Sequence, residues 1–398
     1  MGKKLVQINT VCNGSTGKIM VGIQQQAEED GFEVYNFFGR GKPANDRCFK
    51  ICNKLDIYWH LLISRLFDMQ GHGCKHATKK LVKQLRQINP DVIQLHNLHG
   101  YYINIKILFD YLENCNAKIV WTLHDCWTFT GHCTYFTYAN CKKWEEQCKK
   151  CPNKREYPKS ILVDRSYKNY IEKKNLFTKC KNITLVTPSK WLANIVSKSF
   201  FKKYEIKVIN NGIDLNVFKP TQSDFREKYN LQDKKIVLGV ASVWERRKGL
   251  NDFIELSKIL DDSYRIVLVG LNKKQIKKLP ENTIGITRTE NQKELAGLYS
   301  TADIFFNPTY EDNYPTVNLE SIACGTLVIT YNTGGSTESI NYDTGLIVDA
   351  GNIQNAKEEL NKIYINEISI LKCSKEGKKF NEITKYKEYL NIYKENKI

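Results

Sequence analysis

The residues best suited to chemistry lie in one segment of the chain, residues 307–341. Glu311 and Asp312 follow an apolar run that predicts a strand, and Glu320 lies in the predicted helix that begins near Thr316. Two consecutive glycines follow the next predicted strand. Ligands bind at the carboxyl edge of a parallel sheet, where helix N-termini and turns with free N–H groups favour phosphate. The segment therefore predicts a site for a diphosphate flanked by hydroxyl groups that donate to the carboxylates.

The three acids named above differ in how well their positions suit ligand binding. Glu320, about one turn into its helix, can accept hydrogen bonds from two hydroxyls of a ribose. The structural alternative is an acid on a helix surface near the positive helix end. Glu311 and Asp312 are adjacent on a loop, so only one of them is expected to face the site. Paired acids often serve acid–base catalysis, but this spacing does not make the two converge.

A basic loop, Trp244-Glu245-Arg246-Arg247-Lys248-Gly249, follows another predicted strand. Arginine binds phosphate oxygens in a bidentate way and lysine adds a point charge, so Arg246, Arg247 and Lys248 are candidates for binding a pyrophosphate. A solvated basic loop is the alternative. The position at the end of a strand favours the ligand-binding interpretation.

A glycine-containing turn, Asn13-Gly14-Ser15-Thr16-Gly17, follows the first predicted strand. Gly14 and Gly17 would let a ligand approach the backbone closely, beside a helix expected to begin near Gly17. The turn matches neither of the two common phosphate-binding glycine patterns, and an ordinary strand-to-helix turn is an equal alternative.

Histidines end two more of the predicted strands. His124 and Asp125 end the strand KIVWTLHD, where the two side chains could orient each other. His96 and His99 follow a neighbouring strand and share the same predicted edge. A single histidine is more often structural than catalytic, so the shared edge is the argument for function.

The chain contains 13 cysteines, and five of them crowd into one insert. The odd total argues against a full disulfide framework. The closing Cys-Lys-Lys-Cys-Pro resembles a zinc knuckle, because two thiolates spaced in this way can reach one tetrahedral ion. One interpretation is a structural zinc bound by Cys133, Cys141, Cys148 and Cys151. Reduced core cysteines and a redox pair are the two others.

The composition limits the class of protein. A chain of 398 residues is expected to form two domains, and it contains no apolar run of 18 residues that would span a membrane. The N-terminal apolar run is too short for a signal peptide, so a cytoplasmic protein is expected. The net charge of +17 favours anionic partners. The lysines are spread along the whole chain, however, and no nucleic-acid-binding motif has the required spacing.

Strand and helix patterns alternate in two series, which predicts an α/β fold of two doubly wound domains with parallel sheets. Pro220 and the polar run after it mark the boundary, within residues 214–225. The predicted parts are a first domain at 1–213 with the cysteine-rich insert at about 126–152, a second domain at 221–375, and a last helix at 376–398.

Together these motifs resemble a family-4 glycosyltransferase, a retaining enzyme of GT-B architecture, over nearly the whole chain. The strongest match is YEDNYPTVNLESIACGTLVITYNTGGSTESI, against the family's E-x7-E segment. TPSKWL, NNGIDLNVFKP and RRKGL also match the family. The cysteine-containing pattern TLHDCWTFTGHC…C…CKKCP resembles a branch found among bacterial capsule and O-antigen transferases.

The resemblance implies a donor site in the second domain. Lys248, with Arg246 or Arg247, would bind the donor diphosphate, and Glu320 would hold the ribose. Val243 stands where the family usually has an arginine, so Arg246 or Arg247 would have to replace it.

The resemblance also implies contacts to the donor sugar. Asp312 takes the first acidic place of the E-x7-E pair, with Glu311 beside it, and His124 would contact the sugar from the opposite domain. The loop on the sugar side contains Asn313 and Tyr314 instead of glycines, so it does not identify the sugar. Gly14 to Gly17 would lie near the phosphates and the acceptor.

The implied reaction is transfer of a hexose from a nucleotide diphosphate sugar to a lipid-linked saccharide, with retention of configuration, in capsule or O-antigen synthesis. The first domain would hold the acceptor, and the last helix would cross back onto it. Fixed positive charges would stabilise the leaving diphosphate, so no divalent cofactor is expected. The acceptor would lie at the inner membrane face, where the basic charge suits peripheral contact with anionic lipid.

Two other functions stay open at this point. A nucleic-acid-binding protein with a zinc module would explain the net charge and the cysteines. It would leave the acids at the strand ends unexplained, because carboxylates repel phosphate backbones. A GT-B sugar epimerase or phosphorylase would share the donor site without needing a separate glycan acceptor.

Overall fold

The computed structural model describes residues 2–362 and 367–395. The chain divides into two compact units, the first formed by Met1–Asn210 with Tyr386–Ile398 and the second by Asn211–Lys385. Each unit is built on one parallel sheet with helices between most of its successive strands. The predicted α/β fold of two doubly wound domains is therefore confirmed.

The first unit has a seven-stranded sheet with the order β3-β2-β1-β4-β5-β6-β7. Its strands are β1 (Lys4–Val11), β2 (Glu33–Arg40), β3 (Cys48–Lys50), β4 (Val92–Leu95), β5 (Lys118–Thr122), β6 (Ile183–Thr187) and β7 (Glu205–Val208). Its helices are α1 (Gly14–Glu29), α2 (Lys54–Phe67), α3 (Lys75–Ile88), α4 (Ile105–Leu112), α5 (Ser166–Phe177) and α6 (Lys190–Val196).

The second unit has a six-stranded sheet with the order β10-β9-β8-β11-β12-β13. Its strands are β8 (Lys235–Val240), β9 (Tyr264–Val269), β10 (Thr283–Ile286), β11 (Ile304–Asn307), β12 (Leu327–Tyr331) and β13 (Gly345–Val348). Its helices are α7 (Phe225–Lys228), α8 (Leu250–Ile259), α9 (Lys273–Ile276), α10 (Gln292–Thr301), α11 (Thr316–Ala323), α12 (Ile353–Lys362) and α13 (Glu367–Gly377), and α14 (Glu382–Lys394) follows.

The strands are apolar on both faces, as expected where helices cover both sides of a parallel sheet. In β1, Val6 and Ile8 belong to one buried cluster, whereas Leu5 belongs to another on the opposite face. The helix α3 shows the matching pattern, with Leu81 and Leu85 buried and lysines on its outer side. This two-sided burial accounts for the continuous apolar runs in the sequence.

Each sheet has one point at which the strand order reverses. In the first unit it lies between β1 and β4, and in the second between β8 and β11. Loops leave the sheet in opposite directions at such a point, and the crevice between them is where open α/β sheets bind ligands. These two places therefore position the candidate functional residues.

The last helix differs from its prediction. Residues 376–398 were expected to form one helix, but α13 ends at Gly377, a short 3-10 turn follows at Lys378–Phe380, and α14 begins at Glu382. Residues up to Lys385 belong to the second unit. The tyrosines of α14, such as Tyr389 and Tyr393, are buried against β-strand residues of the first unit. Residues 396–398 lie outside the described part of the chain.

Within the described ranges, none of the helices combines the length and the apolar character needed to span a bilayer.

Candidate functional site

In the second unit, the basic turn after β8 meets the loop after β11. The ammonium of Lys248 lies 2.5 Å from Asp312 Oδ2. Arg247 Nη1 donates to the carbonyl of Glu311 at 2.9 Å, and Tyr310 N donates to the carbonyl of Arg247 at 2.8 Å. Because β8 and β11 are neighbours in the sheet, their carboxyl ends bring together residues that lie more than sixty positions apart in sequence.

The Gly-Gly turn after β12 holds this loop from the other side. Gly335 N donates to the carbonyl of Asp312 at 3.0 Å. Gly334 has a φ of +55°, and a Cβ atom there would lie 2.1 Å from the same carbonyl oxygen. Only glycine fits so close to another backbone in this conformation. The turn therefore fixes the backbone of Asp312, and the sequence alone did not reveal that contact.

Glu320 lies on the second turn of α11, as predicted. Its Oε2 accepts a hydrogen bond from the hydroxyl of Tyr299 at 3.1 Å. Tyr299 is buried, and burial, with Glu320 close by, raises the pKa of its phenol well above the ordinary value. The tyrosine therefore stays a donor at neutral pH and orients the carboxylate. Sequence reasoning missed Tyr299 because it lies on a different helix, α10.

A buried polar network anchors α11 to the strand ends. Asn307 Nδ2 donates to Asn318 Oδ1 at 2.7 Å, and Asn318 Nδ2 donates to the carbonyl of Ser336 at 3.1 Å. The hydroxyls of Thr330 and Ser336 lie 2.7 Å apart. Such satisfied buried networks hold side chains in one arrangement. Here the network fixes the helix that carries Glu320 against β11 and β12.

The remaining predicted donor residues lie close by but differ in exposure. Arg246 is exposed on the basic turn, whereas Glu311 and Asn313 are buried in the loop. Tyr314 packs into the hydrophobic core of the unit, and burial raises the pKa of its phenol. The predicted contact of Tyr314 with the donor stays a prediction.

In the first unit, two histidines stack at the ends of β4 and β5. His96 Nδ1 lies 3.0 Å from His124 Nε2, and the ring centroids are 5.3 Å apart. Burial lowers the pKa of His124 to about 4 and holds that of His96 well below its ordinary value. Both imidazoles are therefore neutral at pH 7, and each can donate one hydrogen bond and accept another.

Asp125 pairs with a different histidine from the one expected. His99 Nε2 lies 2.6 Å from Asp125 Oδ2, and the expected mutual orientation of His124 and Asp125 is replaced by this contact. Burial acts to raise the pKa of Asp125, but the charge and hydrogen bond of His99 outweigh it, so the pKa is lowered. Asp125 Oδ1 also accepts from Trp127 N at 2.9 Å, and the hydroxyl of Tyr157 lies 3.0 Å from His99 Nδ1.

The glycine-containing turn after β1 begins α1 at Gly14, three residues earlier than expected. A Cβ on Gly17 would lie 2.4 Å from the carbonyl carbon of Cys12, so this glycine is needed for close packing of the helix on the strand. A Cβ on Gly14 would meet no atom within 4 Å. The two glycines therefore differ, because Gly14 borders open space and Gly17 does not.

The cysteine-rich insert lies between β5 and α5. Its four predicted zinc ligands, Cys133, Cys141, Cys148 and Cys151, line one small cavity. In residues 2–362 and 367–395, however, no three or more His, Cys, Asp or Glu side chains are arranged so that they could hold a metal ion. All the cysteines are free thiols in this structure. Zinc binding stays a prediction.

Comparison with protein families and solved structures defines the class of the chain. Residues 25–217 match the family described as Glycosyltransferase Family 4, and residues 221–380 match that described as Glycosyl transferases group 1. The chain also superposes on sucrose-phosphate synthase from Thermosynechococcus elongatus, with a TM-score of 0.69, 14% identity and 98% of each chain covered. The chain is therefore an enzyme, a glycosyltransferase of the family-4 type with the GT-B fold.

Individual relatives are distant. WcaC of Escherichia coli (strain K12), a proposed colanic acid biosynthesis glycosyl transferase, is 22% identical over 361 residues, which cover 86% of this chain and 87% of WcaC. The N,N'-diacetylbacillosaminyl-diphospho-undecaprenol alpha-1,3-N-acetylgalactosaminyltransferase of Campylobacter jejuni is 28% identical over 48% of this chain and 55% of its own length. HepE of Anabaena, solved with UDP-glucose, has a TM-score of 0.64 at 14% identity, with 98% of each chain covered. These matches do not support the nucleic-acid-binding alternative.

Proposed function

We propose that the enzyme transfers a hexose from a nucleotide diphosphate sugar to a lipid-linked saccharide, with retention of configuration, in the synthesis of a cell-surface polysaccharide such as a capsule or O-antigen. The observation that carries the donor half of this proposal is the cluster of Lys248, Arg247 and Asp312 between β8 and β11. The relatives act on saccharides by name, and HepE was solved with UDP-glucose, which supports a donor of this class.

Lys248 and the arginines would stabilise the leaving diphosphate. Negative charge grows on the diphosphate as the bond to the sugar breaks, and preorganised positive groups stabilise that charge more than the ground state. Without donor, Asp312 provides the counter-ion of Lys248. A bound diphosphate would share this lysine, with Arg246 and Arg247 adding bidentate contacts. These fixed charges are why we propose catalysis without a divalent cofactor.

Glu320 would bind the ribose. A carboxylate can accept hydrogen bonds from several donors, and the phenol of Tyr299 orients this one. Its place on α11, held by the network through Asn318, sets it at a fixed position relative to Lys248. The expected effect of this arrangement is selectivity for a ribonucleotide over free pyrophosphate.

We propose that Asp312, Glu311 and His124 contact the donor sugar. Asp312 lies beside Lys248, so a hydroxyl-bearing group next to the diphosphate would be within its reach. His124 is neutral at pH 7 and can donate to or accept from a sugar hydroxyl. Gly14, which borders open space at the end of β1, would leave room for the phosphates or acceptor.

The membrane contact that a lipid-linked acceptor requires has a candidate surface on α2. One side of this helix exposes Leu55 (79%), Tyr58 (64%) and Trp59 (61%), the helical spacing of an amphipathic face. Exposed Ile161 lies beside the end of the helix, where its N–H donates to the carbonyl of Arg65 at 2.7 Å. Tryptophan and tyrosine favour the membrane–water interface, and the net charge of +17 favours anionic lipid.

Sedimentation with vesicles that contain anionic lipid tests this surface. Binding is expected to weaken as salt rises and to fall in Trp59→Ala. Tyr342→Ala is the matched control, because Tyr342 is 95% exposed but lies in the second unit. Equal binding by all three proteins would remove α2 from the proposal.

Product analysis tests the reaction itself. The enzyme is incubated with a set of nucleotide sugars, with and without an undecaprenyl-diphosphate-linked saccharide. We expect free nucleoside diphosphate and an extended saccharide only when the acceptor is present, with the anomeric configuration of the donor kept. Conversion of the nucleotide sugar without acceptor would instead favour an epimerase or a phosphorylase.

A further inference from the structure

The insert between β5 and α5 is unusual in having little regular structure. It runs from Leu123 to Arg165 and contains only two short 3-10 turns, Trp127–Phe129 and Lys143–Glu145. A loop of this length in a compact unit needs its own source of order. Aromatic side chains provide part of it, since Phe136 and Trp144 stack with ring centroids 5.0 Å apart. The cysteines surround the same small cavity.

The four cysteines of the cavity come from three parts of the insert, because Cys148 and Cys151 share one Cys-x2-Cys turn. Cys133 and Cys148 are buried, and Cys141 and Cys151 are partly buried beside them. The thiols of Cys133 and Cys151 hydrogen-bond to each other. In the described ranges the four thiols do not form a ready-made metal cluster. Zinc replaces the thiol protons and binds each sulfur at a Zn–S distance of about 2.3 Å, so the cysteine side chains would move towards the metal on binding.

His132 supplies an independent indication of a ligand. Its side chain is fully buried and lines the same cavity. Nδ1 lies 2.5 Å from Asp68 Oδ1, whereas the buried Nε2 has no hydrogen-bond partner. A histidine held by a carboxylate at one nitrogen and open at the other is the arrangement usual for metal-bound histidine. Leaving a buried ring nitrogen without a hydrogen-bond partner costs free energy, and a metal ion or another bound group at Nε2 would remove that cost.

A buried lysine beside the cavity is a further indication of a bound metal. Lys173 is buried, and its ammonium donates to the carbonyls of Trp127 and Thr130 at 2.6 and 3.0 Å. These hydrogen-bond partners are neutral, and the side-chain nitrogen also lies 3.4 Å from the centroid of the Trp127 ring. Burial lowers the pKa of Lys173 to about 7, against the nearby charges of Asp68 and Asp125, so a further negative charge would stabilise the ammonium. A zinc ion with three or four thiolates carries net negative charge and would balance it. Lys143 also reaches this region, donating to the carbonyls of Lys149 and Lys150 in the Cys-x2-Cys turn at 3.2 and 2.9 Å.

We propose that the insert binds one structural zinc ion through Cys133, Cys148 and Cys151, with either Cys141 or His132 as the fourth ligand. If His132 is not a ligand, its Nε2–H donates to a coordinated thiolate. A closed site of this kind leaves no open position for substrate, so the metal stabilises the insert and takes no part in transfer. The proposal is independent of the proposed donor and acceptor.

Metal analysis of the full-length protein, purified without added zinc, tests the proposal. One zinc per chain is expected, and X-ray absorption at the zinc edge should show four sulfur ligands or three sulfurs and one nitrogen. Cys148→Ser and Cys151→Ser should lose the metal. Cys115→Ser, a thiol outside the insert, should keep it.

A measurement on the wild-type protein covers the case in which the variants do not fold. If zinc is bound, the four thiols of the insert react with a thiol reagent only after a chelator is added. Substoichiometric zinc together with four thiols that react without chelator would overturn the proposal. A mass lower by two hydrogens in unreduced protein would overturn it in favour of a Cys133–Cys151 redox pair.

Discussion

The two units share one sheet topology but differ in the electrostatics of their strand ends. At the β8–β11 edge, Lys248 and Asp312 form an ion pair at 2.5 Å, with Arg247 beside them. At the β4–β5 edge of the first unit, His96 and His124 stack as neutral rings. The topology therefore fixes where a ligand can bind, and the side chains at the strand ends decide which chemistry it meets.

The difference has a physical cause and a functional consequence. At the β8–β11 edge, Lys248 and Asp312 are partly exposed to water. Their charges therefore stay hydrated, and a diphosphate could replace the contact between them. Burial at the histidine edge makes the charged form of imidazole unfavourable. The second unit therefore suits an anionic ligand, and the first suits neutral hydroxyl groups.

The largest expected effect is at the charged edge. Lys248→Ala should lower the rate of sugar transfer by roughly a hundred- to a thousandfold, because it removes a positive side chain that is proposed to stabilise the leaving diphosphate. Steady-state assays measure this rate, and circular dichroism checks that the fold is kept. Lys258→Ala on α8, where Lys258 pairs with Glu255 on the surface, is the control. A nearly normal rate in Lys248→Ala would show that the leaving group is stabilised elsewhere.

The second effect separates the proposed ribose contact from the proposed diphosphate contact. Glu320→Gln should weaken binding of a nucleoside diphosphate by roughly ten- to a hundredfold, as expected for loss of a charge-assisted hydrogen bond. Binding of inorganic pyrophosphate should stay unchanged, because it has no ribose. Calorimetric titration measures both ligands. An equal loss for the two ligands would place Glu320 in the diphosphate contact instead.

The third effect tests the β4–β5 edge, where His96 and His124 are neutral, through the pH dependence of stability. The pKa of His124 is about 4 in the folded protein and about 6.5 when unfolded, so the unfolded chain binds more protons between these values. The contribution of His124 to the free energy of unfolding should therefore be nearly constant above pH 7 and fall as the pH drops towards 4. His124 alone should contribute on the order of 2–3 kcal/mol to that fall.

Denaturant unfolding at pH 7.5 and pH 5 measures this contribution. His124→Gln should lose less stability between the two pH values than the wild-type protein does. His76→Gln, an exposed position on α3, should behave like the wild type. If His124→Gln shows the wild-type pH dependence, the rings are not held neutral by burial.

The smallest effect concerns the two glycines at the start of α1. Gly14→Ala should cost about 1 kcal/mol, because its φ of +78° is unfavourable for alanine although no atom stands in the way. Gly17→Ala should cost more, since its Cβ would collide with the backbone of Cys12. Denaturant unfolding ranks the two variants. The reverse order would mean that the backbone at Gly17 can move away easily.

The sequence predicted the sheets well because apolar runs and turn residues are local signals. The runs around β8, β11 and β12 were placed correctly, and the topology then brought Lys248 to Asp312. Contacts between distant side chains have no such signal. Tyr299 beside Glu320 and His99 beside Asp125 could not be found in this way, because neither partner is marked by spacing.

Two features of the structure could not be read from the sequence. Residues 376–398 were predicted as one helix from their aromatic stripe, but the chain turns at Lys378–Phe380 before α14 begins. Tyr314 was predicted at the donor because it lies in the sugar-side loop, and the structure adds that its side chain packs into the core of the second unit. In both cases the sequence did not show against which surface the aromatic side chains pack.

The account rests most directly on diphosphate binding at the β8–β11 edge. Calorimetric titration of UDP, GDP, ADP and CDP into wild-type protein would identify the best ligand, which would then be titrated into Lys248→Ala and Lys258→Ala. We predict at least a tenfold loss of affinity in Lys248→Ala and none in Lys258→Ala. Equal affinity in the wild-type protein and Lys248→Ala would contradict the assignment of this edge as the donor site.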